Sequence, residues 1–172
     1  RAQRLQAQAE PVDALVTVLQ RLALRGLVES GETGELLMLR CAHRNAVVPD
    51  SYQQESLITD SVVHEFDIVP WLAGSPIRSV EVKFARRNPL TPQRLREPIL
   101  VLMELENGVL VDLEMNVSVQ FGYQVSTEAV FSSGIARIGA GHIREPRTGS
   151  RRGTVAGADG NASTSAGSNH GI

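Results

Sequence analysis

Leu15, Val18, Leu19, Leu22 and Leu27 recur at roughly helical spacing, and Gly31 follows as a terminator, so residues 1 to about 30 are expected to be helix-biased. From Gly34 the period changes. Leu36 to Ala42 is apolar and strand-like, and a polar loop through Asn45, Pro49 and Asp50 follows it. A second helix is expected over roughly Ser56 to Ala73. There Ile58, Val62, Phe66, Val69 and Leu72 can share one face, and Gly74 with Pro76 closes the run.

After that the pattern alternates with a period of two. Ile77 to Ala85 sets Val80, Val82 and Phe84 opposite Ser79, Glu81 and Lys83, as a strand with one solvated face requires. Ile99 to Glu106 and Val109 to Val119 flank Asn107-Gly108, a dipeptide that suits both positive-φ positions of a tight hairpin turn. Gln124 to Phe131 and Ile135 to Ile138 surround Ser132-Ser133-Gly134. Together these elements predict an α+β domain with an open, mainly antiparallel β-sheet and covering helices. From about Gly141 only Ile143, Val155 and Ile172 are large and apolar. So little burial does not offset ordering entropy, and 141–172 is expected to be a disordered tail.

Composition narrows the class. The chain has 172 residues, 42% hydrophobic and 21% charged, enough for one ordinary domain and too little for two complete ones. It begins at Arg1 with no secretory pattern behind it, which suggests a truncated or processed start and nothing that argues for export. Cys41 is the only cysteine, so an intrachain disulfide and a multi-cysteine zinc site are excluded and a reducing, cytoplasmic setting is expected. Its reading is that of a small buried hydrophobe. No apolar run approaches the roughly 18 residues needed to cross a bilayer, so no membrane partner is expected. A net charge of −2 makes no field for polyanions, and Arg144, Arg147, Arg151 and Arg152 lack accompanying aromatics, so nucleic acid is not expected either.

Candidate chemistry gathers around the second helix. Asp60 and His64 are four residues apart, so on a helix a carboxylate can orient and polarise an imidazole that takes a proton from a hydroxyl. The alternative is an aspartate favoured by the helix dipole beside an unrelated surface histidine. His43, His64, Glu65 and Asp67 are possible metal ligands, and a small metal hydrolase on His43, Asp60 and His64 is a third reading. Ile68, however, breaks the H-E-x-x-H pattern, and no metal site is expected. There is no G-x-S-x-G elbow and no phosphate-binding G-x-x-x-x-G-K-[ST].

Four stretches change the picture by their company. Leu27 to Gly34 is L-V-E-S-G-E-T-G, and Leu39 to Ala46 is L-R-C-A-H-R-N-A. Thr59 to Gly74 is T-D-S-V-V-H-E-F-D-I-V-P-W-L-A-G, and Phe121 to Glu128 is F-G-Y-Q-V-S-T-E. In this order and at these separations the chain resembles the Gfo/Idh/MocA oxidoreductases, within them the inositol 2-dehydrogenase branch, over roughly Leu22 to Gly139. The resemblance implies hydride transfer from a polyol secondary hydroxyl to NAD or NADP, with His64 as general base and Asp60 as its carboxylate partner. It also implies His43, Asn45 and Tyr123 as substrate contacts. A G-x-G-x-x-G Rossmann turn and an E-K-P lysine belong to the family pattern and are absent here, and Lys83 lies in a strand pattern that does not replace that lysine. The expected organisation is therefore an unmatched lead over 1–21, a substrate-binding sheet domain over 22–140, and the tail. Such a chain is expected to be inactive alone and to form a homo-oligomer through its sheet. A non-catalytic remnant that keeps only the sheet surface is the alternative.

Overall fold

A computed structural model describes residues 11–143. Helix α1 (Pro11–Ser30) starts on a proline, whose missing N–H costs nothing at a first helical position. It stops where Gly31 turns to φ 68°. Strand β1 (Leu36–Arg44) follows, then a π-helical segment (Leu57–Val62) running directly into helix α2 (Val63–Ala73). The remaining strands are β2 (Ile77–Phe84), β3 (Ile99–Leu105), β4 (Leu110–Asn116), β5 (Gly122–Phe131) and β6 (Ile135–Ile143).

The six strands form one open sheet in the order β2-β3-β4-β1-β5-β6. Every neighbouring pair is antiparallel except β1 with β4. That parallel pair needs a long crossover, and the crossover carries the π-segment and α2 onto one face. The strand alternation records which face: Leu39, Val101, Met103, Leu105, Val111, Leu113 and Met115 are buried under Leu57, Val62, Val69 and Leu72 from the helical segments and Leu24 from α1. The α+β expectation and the mainly antiparallel sheet hold.

Several details differ from the pattern along the chain. In α1 from Val16 onward Leu24 is buried with half-buried Leu27 and Val28 packed beside it, whereas Val18, Leu19 and Leu22 are exposed; the Leu15 side chain lies outside the described residues. Residues spaced by three and four share a helix face, and the face that meets the sheet is the one carrying Leu24, Leu27 and Val28. In the second helical run Ile58 is exposed and Leu57 buried. The wider π-turn re-phases the helix before Val62, so a face extrapolated backwards at 3.6 residues per turn misses by one position. Val80, Val82 and Phe84 do alternate as expected, yet all three are exposed, because β2 is the sheet edge beyond the helical cover.

The Asn107-Gly108 hairpin exists with different turn chemistry. Gly108 has φ 84°, but Asn107 is not in the positive-φ region. Gly108 N–H bonds the Leu105 carbonyl at 2.9 Å and Leu105 N–H bonds the Val109 carbonyl at 2.9 Å. This is the three-residue hairpin with a left-handed third residue. Asn107 is held by tertiary bonds instead: its N–H meets Ser75 Oγ at 3.0 Å and its side-chain amide reaches the Ala73 carbonyl at 3.3 Å. Strand β6 continues to Ile143, three residues beyond the expected end of the sheet domain at 140, and Gly141, His142 and Ile143 pair with Gln124, Tyr123 and Gly122. The rest of the expected tail, 144–172, and residues 1–10 lie outside the described residues. Among the described residues, no helix is long and apolar enough to cross a membrane.

The sheet face turned away from the helices mixes two chemistries. Arg40 lies 3.3 Å from Asp112 and 3.7 Å from Glu128, Glu128 also pairs with Arg137, and Arg44 pairs with Glu114. Around this ladder sit half-buried Leu100, Leu102, Met38 and Val130 and exposed Leu110 and Ile135.

Candidate functional site

Strand β1 is the pivot of the site because it is flanked on both sides, with His43 opposite Met115 of β4 and Val125 of β5. Its buried alternation runs Leu39, Cys41, His43, so an apolar strand ends in an imidazole beneath the helical layer. Burial pushes the Cys41 thiol up to about 12, against which a contact with Thr127 is a minor opposing effect. Cys41 thus behaves as the small buried hydrophobe its position suggested.

His43 is 7% exposed and Glu65 4% exposed. His43 Nδ1 lies 3.0 Å from Glu65 Oε1 and 3.2 Å from Oε2. Glu65 reaches this place because Val62, Glu65, Val69 and Leu72 are spaced by three, four and three along the second helical run and share its buried side. In the sequence Glu65 reads only as a possible metal ligand. The same periodicity that picked out Val62 and Val69 would have placed it on the core-facing side. Among the described residues, no group of three or more His, Cys, Asp or Glu side chains could hold a metal ion.

His64, one residue earlier, points to solvent. Its ring stacks over that of His43 with centroids 6.5 Å apart and planes 18° from parallel. Asp60 is also exposed and sits in the π-segment rather than in a regular α-helix. Its carboxylate accepts a hydrogen bond from the Thr59 hydroxyl at 2.9 Å, and no hydrogen bond or ion pair joins it to His64. Tyr52, beneath the same segment, donates to the Ser56 carbonyl at 2.9 Å and meets Ser61 Oγ at 2.8 Å, which anchors the π-turn from below.

Asn45 follows Arg44, whose partner across β5 is Gln124, so Asn45 and Tyr123 come at the same end of neighbouring strands. The Asn45 backbone is tied at both groups: its N–H bonds the Asn116 carbonyl at 2.8 Å and its carbonyl accepts from Val119 N–H at 3.1 Å. Tyr123 is 52% exposed. Partial burial raises its phenol above the usual range; the negative charge of Glu65 adds to the rise and Arg21 opposes it. Lys83 is elsewhere, on the edge strand β2 and paired with Glu81. Of the five expected site residues, His43 and His64 are in ring contact, Asn45 and Tyr123 share a strand end, and Asp60 lies one helical turn before His64.

Comparison with known proteins gives the family and the fold. Residues 22–137 match the GFO/IDH/MocA C-terminal domain. The inositol 2-dehydrogenase of Leifsonia xyli subsp. xyli is 74% identical over 117 residues, 68% of this chain and 34% of that protein. The inositol 2-dehydrogenase of Corynebacterium glutamicum strain ATCC 13032 is 70% identical over 116 residues, 67% of this chain and 34% of that protein. Among solved structures, the myo-inositol dehydrogenase of Lactobacillus casei in complex with NAD(H) and myo-inositol superposes with a TM-score of 0.67 at 25% identity, covering 81% of this chain and 40% of that one. The chain thus spans about a third of the length of the curated relatives it matches.

Proposed function

The chain belongs to the GFO/IDH/MocA family through that C-terminal domain, and on this premise we propose that it is the substrate-side part of an NAD(P)-dependent oxidoreductase that oxidises a secondary hydroxyl of a polyol such as myo-inositol. The observation that supports this reading is the stacked pair of His43 and His64, one buried and oriented, the other open to solvent. In this reading the His64 imidazole takes the hydroxyl proton, and Asp60, one turn away, exchanges its Thr59 partner for the imidazolium that results. His43, Asn45 and Tyr123 hold neighbouring hydroxyls. The sheet face carrying Leu100, Leu102 and Leu110 joins copies of the chain into a homo-oligomer.

The positive-φ glycines, Gly31, Gly34, Gly74, Gly108, Gly122 and Gly139, lie after helices or in strands and their turns, none of them at a helix N-terminus. In this reading the nicotinamide accepts the hydride, and none of the five residues above is assigned to holding it. The test is a fusion of this chain behind the cofactor domain of a close relative, assayed by NADH absorbance with myo-inositol. His64→Ala should lower kcat by about 10²- to 10⁴-fold and leave NAD affinity nearly constant. Full kcat in a folded His64→Ala fusion would sink the catalytic assignment.

A further inference from the structure

Glu65 is a buried carboxylate that the chemistry above does not use. Removed from water, such a group needs a donor, and His43 Nδ1 meets both of its oxygens at 3.0 and 3.2 Å. An ionised carboxylate only accepts, so the hydrogen between them belongs to Nδ1. The other ring nitrogen has a different fate. Among the described residues no fully buried polar side-chain atom lacks a partner and no hydrogen bond joins Nε2 to another of them, so Nε2 keeps some exposure.

We infer that Glu65 is a positioning residue that locks His43 as the Nδ1–H tautomer and so presents Nε2 as a hydrogen-bond acceptor toward a substrate hydroxyl. The lock is not what the ring would choose alone, since a histidine side chain in water favours the Nε2–H form. Two further observations fit the same role. The His64 ring lies 6.5 Å away between centroids and 18° from parallel, so the two imidazoles flank the same place. The Glu65 charge also helps keep the Tyr123 phenol protonated, and hence a donor. A polyol hydroxyl both donates and accepts, and this end of the sheet offers one group of each kind. The identity of the ligand rests on the function proposed above; the tautomer does not.

The experiment uses the full chain, labelled with ¹⁵N and free of substrate and cofactor. Long-range ¹H–¹⁵N correlation at pH 8 distinguishes protonated from bare ring nitrogens, and His43→Gln assigns the His43 signals by their loss. The expected result is a protonated Nδ1 and a bare Nε2 in the wild type. Glu65→Gln keeps the shape but its amide can turn to accept or to donate, so it should give a mixture of both tautomers. A wild-type His43 carrying its proton on Nε2, a doubly protonated ring, or an unchanged spectrum in Glu65→Gln would each overturn the inference. If that variant fails to fold, the wild-type spectrum still decides. An inactive fusion together with the Nδ1–H form would count against the polyol reading alone. An active fusion with the opposite tautomer would count against this inference alone.

Discussion

Arg25 of α1 donates from Nη1 to the Trp71 carbonyl at 2.6 Å and to that of Leu72 at 3.3 Å, with its guanidinium 6.0 Å from the centre of the Trp71 ring. One side chain thus satisfies terminal carbonyls of α2 and ties the two helices together. Arg25→Ala should destabilise the fold by about 1.5–3 kcal/mol, the usual range for hydrogen bonds from a charged donor. Urea unfolding measures it, and a loss below about 0.5 kcal/mol would mean the contact is incidental. Gly74→Ala should also destabilise, because Gly74 has φ 64° and an added Cβ would meet Arg25 Nη1 at 2.9 Å.

Glu97 is fully buried and accepts from the Thr91 hydroxyl at 3.0 Å and from the Val117 backbone N–H. It pins the loop after β2 to the end of β4. Glu97→Ala leaves two buried donors without an acceptor, so it should cost about 2–4 kcal/mol. Thr91→Val removes one donor together with its need for a partner and should cost less. Equal losses in thermal unfolding for the two variants would contradict this account.

The Cys41 thiol should resist alkylation at pH 8 in the folded chain and react promptly in urea. Its folded pKa is raised from 9.0 to about 12 by burial. The unfolded state therefore gives up this proton first, and stability from the thiol is full below pH 9.0 and is lost as pH rises toward about 12. Tyr52 and Tyr123 are shifted in the same direction, chiefly by burial, and steepen the alkaline loss. Cys41→Ala should flatten the pH dependence of the unfolding midpoint above pH 9. A native thiol that titrates with Ellman's reagent at neutral pH would contradict its burial.

Substrate contacts and the general base should separate kinetically in the fusion enzyme. Under the proposed assignment Asn45→Ala and Tyr123→Phe remove hydroxyl partners and should raise KM for the polyol about 10-fold or more, with little change in kcat. His64→Ala should do the reverse. If Tyr123→Phe leaves KM unchanged, its phenol faces solvent rather than substrate.

Association through the uncovered sheet face should show in sedimentation as a dimer or larger at tens of micromolar. Leu100 and Leu102 lie on that face between charged neighbours, so Leu100→Glu with Leu102→Glu should yield a monomer without loss of the buried core on the opposite alternation. A wild-type monomer at that concentration would remove the sheet from consideration as an interface.

The alternating pattern by itself determined the sheet, because side chains of a strand change face at every residue and Val101, Met103, Leu113 and Met115 can then be only on one side. Glycine chemistry likewise determined the ends of both helices. The linked motifs determined the family, since four of them in order rarely coincide by chance. Only the tertiary structure decided which stripe of α1 is buried, because Leu22 and Leu24 are equally apolar and the choice rests on where the sheet and α2 meet the helix. The π-turn was equally invisible, and it moved Ile58 outward and Leu57 inward by one position. The pairing of His43 with Glu65 spans 22 residues and depends on how the crossover lays α2 across β1. A burial period can place such a carboxylate on the core side; only the packed fold supplies the imidazole that makes its burial possible.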